Sequence, residues 1–248
     1  DPDRVMMILL DEMNLARVEY YFSDFLSRLE SRPCPSDVGD ANERKDAEIE
    51  LEIPNIQMPP RIFPGYNLLF AGTMNEDEST QSLADKVVDR ANILRFAAPK
   101  KIKEGQAEGD VEPTRALSRE TWTRWGRSSA HVDRDARVTA RVEQMVDLMR
   151  EFQRPFGHRL GRAIMAYAAN YPEVEGGRGV DDALADQVEM RLLPKLRGVE
   201  VDMAAPQFSN LMSFVDRDLG DAPLAEAIDE SVRLSEATGQ FVWRGVSR

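Results

Sequence analysis

The sequence has no GxxxxGK[ST] segment anywhere in its 248 residues, so it lacks the glycine-rich loop that cradles nucleotide phosphates. The glycine-rich run EGGRG at 175–179 follows no hydrophobic strand and lacks the lysine, and it reads as a flexible inter-helix loop. Cysteine is nearly absent: Cys34 stands alone, which excludes an internal disulfide. The two histidines, His131 and His158, are not paired at metal-ligand spacing, and no metal is assigned to either. No apolar run approaches the roughly 18–20 residues of a membrane span. The opening DPDRV has no basic n-region and resembles no secretory signal. Positive charge is in deficit, with 32 Lys and Arg against 44 Asp and Glu for a formal net charge of -12. That balance argues against uniform affinity for nucleic acid or an anionic membrane, while a local basic groove stays open. The expected compartment is the cytoplasm, with no membrane partner.

What is present describes an ordinary folded chain, 42% hydrophobic and 31% charged, long enough for one large core or two small ones. Six apolar residues, Val5 to Leu10, suit a strand buried on both faces. Asp11 and Glu12 stand at its carboxyl end. Leu15, Val18, Phe22, Phe25, Leu26 and Leu29 then recur at helical spacing. Ligands of open α/β sheets sit beyond the carboxyl ends of the strands. Adjacent acids at that edge can hold a hydrated magnesium ion and orient an attacking water. The plainer reading is a strand followed by a solvated turn.

Further along, residues 31–50 read as an exposed loop, and EIELEI at 48–53 alternates as a half-buried strand able to enter a hairpin. Pro59, Pro60 and Pro64 forbid helix across MPPRIFPGYN. A second buried strand, Leu68 to Ala71, closes on Gly72-Thr73-Met74-Asn75. If the two strands are neighbours, Asn75 falls beside Asp11 and Glu12, where its amide can bond an attacking water or a terminal phosphate. An asparagine ending a strand in a turn is the common alternative. Glu76 to Asn92 predicts a helix with Leu83, Val87 and Val88 on its apolar face, and Ile93 to Phe96 a short strand. Arg90 sits near the end of that helix, just before the strand, and by itself it reads as a surface ion pair with Asp89 or Asp85.

Taken together, LLDEMNLARVEYYFSDFLSRLE, MPPRI and GTMNEDESTQSLADKVVDRANILRF resemble the McrB-like branch of AAA+ nucleotide hydrolases, the motor subunits of modification-dependent restriction systems. LLDEMN is similar to the Walker B segment, and Met74-Asn75-Glu76-Asp77 falls where that branch carries its Met-Asn-x-x-Asp signature. The resemblance covers about residues 4–97. It implies that Asp11 serves Mg2+ with Glu12 beside it, that Glu12 activates water, and that Asn75 senses the terminal phosphate. It also implies that Arg90 reaches the nucleotide of a neighbouring subunit. PFGHRLGRAIMAY resembles the sensor 2 region, in which Arg159, with Arg162 second, reaches nucleotide phosphates. LLPKLRG at 192–198 is similar to part of that branch's lid.

The resemblance gives an α/β fold: an incomplete AAA+ core, a parallel sheet with helices, followed by an all-helical lid. The core half spans residues 1–98, a charged connector 99–130 and the lid 131–248. Lid helices are expected from Val138 to Phe152, over 159–171, and over 181–197, 206–219 and 223–238, with EATGQFVWRG as a terminal strand or strap. Lys100, Lys101 and Lys103 in the connector read as solvated rather than as phosphate contacts, and Trp122 and Trp125, flanked by Arg124 and Arg127, either pack against the lid or stack on bases. A chain that opens on Walker B looks like the carboxyl-terminal part of a longer protein. The implied cofactors are Mg2+ and ATP or GTP. The implied partners are further copies in a ring, commonly a hexamer, with a nuclease subunit and DNA. Two other classes compete: a non-catalytic module that docks on a P-loop-bearing partner, and a DNA-binding adaptor using the lysine and tryptophan neighbourhoods.

Overall fold

The computed structural model of the chain describes residues 4–32, 41–51, 53–75, 83–97, 117–125, 135–172 and 176–246. The chain is mixed α/β and divides into two compact units. Unit 1 takes Asp1–Arg90 and Gly109–Gly126; unit 2 takes Ala91–Glu108 and Arg127–Arg248. Cys34, Glu76 to Gln81, the three connector lysines and His131 lie outside the described residues.

In unit 1, β1 (Met6–Leu10) leads through a single 3-10 turn, Met13–Leu15, into α1 (Val18–Tyr21) and α2 (Ser23–Glu30). The helical stripe expected from Leu15 onward is therefore broken at Phe22, whose φ of -117° separates α1 from α2. The interruption falls at the end of VEYYF, in which every residue but Glu19 is β-branched or aromatic and has modest intrinsic helix preference. Next come α3 (Ala41–Arg44), β2 (Ile49–Glu50), β3 (Arg61–Ile62) and β4 (Leu68–Gly72). The two-residue strands β2 and β3 pair antiparallel, so the alternating EIELEI stretch does enter a hairpin-like pair, though only at its start. The unit's helices end with α4 (Asp85–Val88) and α5 (Arg119–Trp125), where Trp122 and Trp125 meet edge-on at 6.5 Å.

The two apolar strands pair in parallel, Met6 opposite Leu68 through Leu10 opposite Gly72. Phe22 and Phe25 pack edge-on against Phe70 and so fix α2 on one side of the pair. Burial of β1 on both faces is not what the structure has. Met7 is 65% and Leu9 62% exposed, because among the described residues nothing covers that side. A parallel sheet ordinarily carries helices on both faces, so this pair is open where such sheets are closed.

Unit 2 is helical: α6 (Ala136–Glu151), α7 (His158–Asn170), α8 (Val180–Gln187), α9 (Ala205–Ser213) and α10 (Ala222–Ser235). Asp135 caps α6, accepting from the backbone N–H of Arg137 at 2.9 Å. Val138, Val142, Met145 and Met149 then share its inner face, and Leu160, Ile164 and Ala168 form that of α7. Two π-helical stretches, Val188–Leu192 and Phe214–Asp218, extend α8 and α9. Pro194, just past the first stretch, leaves its mark on the backbone there. It has no N–H, so the carbonyl of Met190, four residues earlier, loses its helical donor. The N–H of Ile93 takes that place at 3.1 Å, and Arg191 Nε donates to Asn92 Oδ1 at 2.8 Å.

The segment expected as a strand, Ile93 to Phe96, is thus an extended strap on unit 2, with one bridge from Phe96 to Val246. Gly245 makes room for it: at φ 87° it is left-handed, and any Cβ there would collide with the carbonyl of Arg95. The core beneath is continuous, with Met145, Ile164, Leu184, Leu193, Phe208 and Trp243 almost fully buried.

Candidate functional site

The parallel register decides which residues meet. With Leu10 opposite Gly72, the next positions along each chain segment, Asp11 and Glu12 on one and Thr73 to Asn75 on the other, leave the sheet side by side. The backbone keeps them together past the last strand residues. Thr73 N–H donates to the Leu10 carbonyl at 2.9 Å, and Met13 N–H to the Thr73 carbonyl at 3.0 Å. The Met13 thioether lies across Gly72, in the space a Cβ would take.

Three side-chain interactions complete the edge. The Thr73 hydroxyl donates to Asp11 Oδ1 and accepts from the Glu12 backbone N–H at 3.0 Å. Asn14, only 3% exposed, donates through Nδ2 to the Asn75 carbonyl at 2.7 Å. Asp11 and Glu12 are both exposed. Glu12 has φ 49° and ψ 43°, a left-handed conformation unusual for a residue other than glycine. Such outliers persist only where surrounding interactions over-determine them, and they cluster at functional sites.

Asp11, Glu12 and Asn75 are therefore brought to one edge, as their sequence positions predict. Arg90 is not among them. Its Nε makes a 3.0 Å ion pair with Glu30 at the end of α2, and its side chain is 17% exposed. Glu30 replaces the expected local partners Asp89 and Asp85. Two residues beyond Glu30, Arg32 bonds the carbonyls of Gly65 and Leu68 where β4 begins. Arg159 and Arg162, both exposed, occupy the first turns of α7 in unit 2, as does His158.

Sequence reasoning missed Thr73, Asn14 and Glu30. Asn14 and Thr73 stood inside the segments LLDEMN and GTMN, but the bonds they make depend on strand register. Also missed was the polar web of unit 2. Arg178, in the loop read as flexible, ion-pairs with Asp182 and, at 2.9 Å, with Asp221, which in turn caps α10 through Leu224 N–H. Arg141 pairs with Asp218 at 2.6 Å. Tyr167 donates to Asp186 at 2.9 Å. Burial, then the bond and the Asp186 charge, push the Tyr167 phenol well above its ordinary range.

Residues 110–238, just over half of the chain, match a family model described as "Domain of unknown function (DUF8727)". The chain belongs to this family. The matched stretch includes α5 and α6 to α10, with Arg159 and Arg162, and leaves out the acids, Thr73, Asn75 and Arg90. No curated protein and no solved structure matches the chain.

The donor set at the edge is two exposed carboxylates. Among the described residues no three His, Cys, Asp or Glu side chains converge on a point. Magnesium asks for less than that: one or two carboxylates, with waters and phosphate oxygens filling the remaining positions. Asp11 and Glu12, exposed and adjacent, fit such a hydrated hard cation. Among the described residues no helix is long and apolar enough to cross a membrane.

Proposed function

We propose that the chain is the carboxyl-terminal portion of a nucleotide hydrolase of the AAA+ type, McrB-like, with an incomplete α/β core in unit 1 and a helical lid in unit 2. The observation that carries the reading is the edge itself. Two acids and Asn75 leave neighbouring parallel strands together, with Glu12 held in a left-handed conformation. Asp11 is the residue that serves Mg2+, whose chemistry when bound is to neutralise phosphate charge. Glu12, exposed beside it, takes a proton from the attacking water. Asn75 orients that water or the terminal phosphate.

Arg90, paired with Glu30 rather than bonded to the acids, acts on the nucleotide of an adjacent subunit, and Arg159, with Arg162, couples the lid to phosphate. Sharing of sites between subunits calls for a ring, of which a hexamer is the common form. ATP or GTP is the fuel, and restriction of foreign DNA with a nuclease partner the role. The phosphate-cradling loop is supplied by sequence outside these 248 residues.

The test is Glu12→Gln in the full-length protein. Nucleotide binding is retained, and turnover falls by the ~10²–10⁴-fold that a general base contributes. Turnover near the wild-type rate removes Glu12 from the role.

A second reading is favoured by the open side of β1. Exposed Met6, Met7 and Leu9 suit a module that docks on a P-loop-bearing partner without chemistry of its own. Under that reading Glu12→Gln leaves the partner's hydrolysis unchanged, whereas Met7→Asp or Leu9→Asp abolishes the association.

A further inference from the structure

We infer that Thr73 is a positioning residue, whose hydroxyl holds the Glu12 backbone in its left-handed conformation and ties Asp11 to the same anchor. The kinetic consequence rests on the hydrolase reading; the conformational one does not.

A hydroxyl has one proton to give. At Thr73 it is spent on Asp11 Oδ1, which leaves the oxygen's lone pairs for the Glu12 N–H at 3.0 Å. Donor and acceptor roles are thereby both fixed, and each bond polarises the other. The two acids are bound to one atom of the neighbouring strand, one through its side chain and the other through its backbone.

The backbone consequence is larger than either bond. Along a strand, successive side chains point to opposite faces, so Asp11 and Glu12 in continued β conformation would diverge. A parallel strand runs near φ of about -120°. At 49°, Glu12 has turned about its N–Cα bond by nearly half a revolution, which takes its carboxylate out of the strand's alternation. A non-glycine residue does not hold that conformation unaided. Two contacts brace it on either side: the Thr73 hydroxyl on its own N–H, and the next residue's N–H, that of Met13, on the Thr73 carbonyl. Only the first depends on the Thr73 side chain, so it is the one a substitution removes.

Thr73 is exposed and outside the buried core, so its replacement leaves the fold intact. The experiment compares wild type, Thr73→Val and Thr73→Ser by backbone chemical shifts of Glu12 and Met13 in this chain. The wild type is expected to give left-handed Glu12 shifts. Thr73→Val moves them toward extended values, and Thr73→Ser, which keeps the hydroxyl, restores them. If Thr73→Val leaves the Glu12 shifts in place, or if Thr73→Ser moves them as far as Thr73→Val does, the hydroxyl is not the brace and the inference fails. In the full-length protein, Thr73→Val then lowers kcat by about 10²-fold, the cost of a misplaced catalytic group, with KM for the Mg-nucleotide little changed. Thr73→Ser stays near wild type. Hydrolysis unaffected by Thr73→Val despite shifted Glu12 signals overturns the kinetic half. Absence of hydrolysis in the wild type itself overturns the hydrolase reading and leaves the conformational result standing.

Discussion

The two units of this chain are stabilised in different ways. Unit 2 encloses a continuous core, from Met145 and Met149 on α6 to Phe241 and Trp243 near the end of the described chain. At its edge Arg178 meets Asp182 and the buried Asp221. Unit 1 has few fully buried apolar residues among those described, Val18, Ala47, Val87 and Val88, and leaves Met7 and Leu9 in the open. Yet unit 1 holds the left-handed Glu12, the paired acids and the side-chain bonds between the strand ends. The helical unit is closed by its own contacts, whereas the two-stranded parallel pair keeps one apolar face exposed beside the two acids.

The sharpest way to break that division is Arg90. If unit 1 contributes to a site shared between subunits, Arg90→Ala lowers turnover by about 10³–10⁵-fold, the worth of a residue of this kind. Mixed rings of Arg90→Ala and Glu12→Gln subunits then recover part of the activity, because each supplies what the other lacks. No recovery would return Arg90 to a plain ion pair with Glu30.

Packing offers the next contrast. Ile164→Ala in unit 2 removes a fully buried side chain and costs about 2–5 kcal/mol, seen as a lower unfolding midpoint in denaturant. Leu9→Ala in unit 1, at 62% exposure, changes stability by no more than about 0.5 kcal/mol. Equal losses at the two sites would mean that β1 is covered in solution.

How much of this could be read from the sequence depended on whether the cause was local. Both apolar strands were legible from their continuous runs, and the helices of unit 2 from long stripes such as Leu160, Ile164 and Ala168. The meeting of Asp11, Glu12 and Asn75 was legible on the condition that the strands were neighbours, which their register satisfies. What was illegible had non-local causes. Glu30 lies 60 residues from Arg90, and no spacing rule joins them. The strap at Ile93 reads as a strand until the missing N–H of Pro194 is matched with the Met190 carbonyl it orphans. The left-handed turn at Glu12 carries no sequence mark of its own, because glutamate is not a residue that favours it. The openness of β1 was invisible for a simpler reason: an apolar run states that a face wants cover, not that it has any.

The smallest effect expected is at Tyr167. Its phenol is held protonated by burial and by Asp186, so its folded-state pKa lies above the unfolded value of about 10. The stability this contributes is fully present below pH ~10 and is lost as pH rises beyond it. Wild type therefore loses more stability between pH ~10 and 12 than Tyr167→Phe does, measured as the change in denaturation midpoint. Parallel curves would show that the phenol is free to ionise.

The most direct test of the central claim is a calorimetric titration of this chain with Mg-ATP and with Mg-GTP, beside the same titration of the full-length protein. The account predicts no binding to the chain, which has the acids but no phosphate cradle, and binding with turnover in the full-length protein. Tight binding by the chain alone would mean that another of its loops cradles the phosphates, and would contradict the division of labour between the two units.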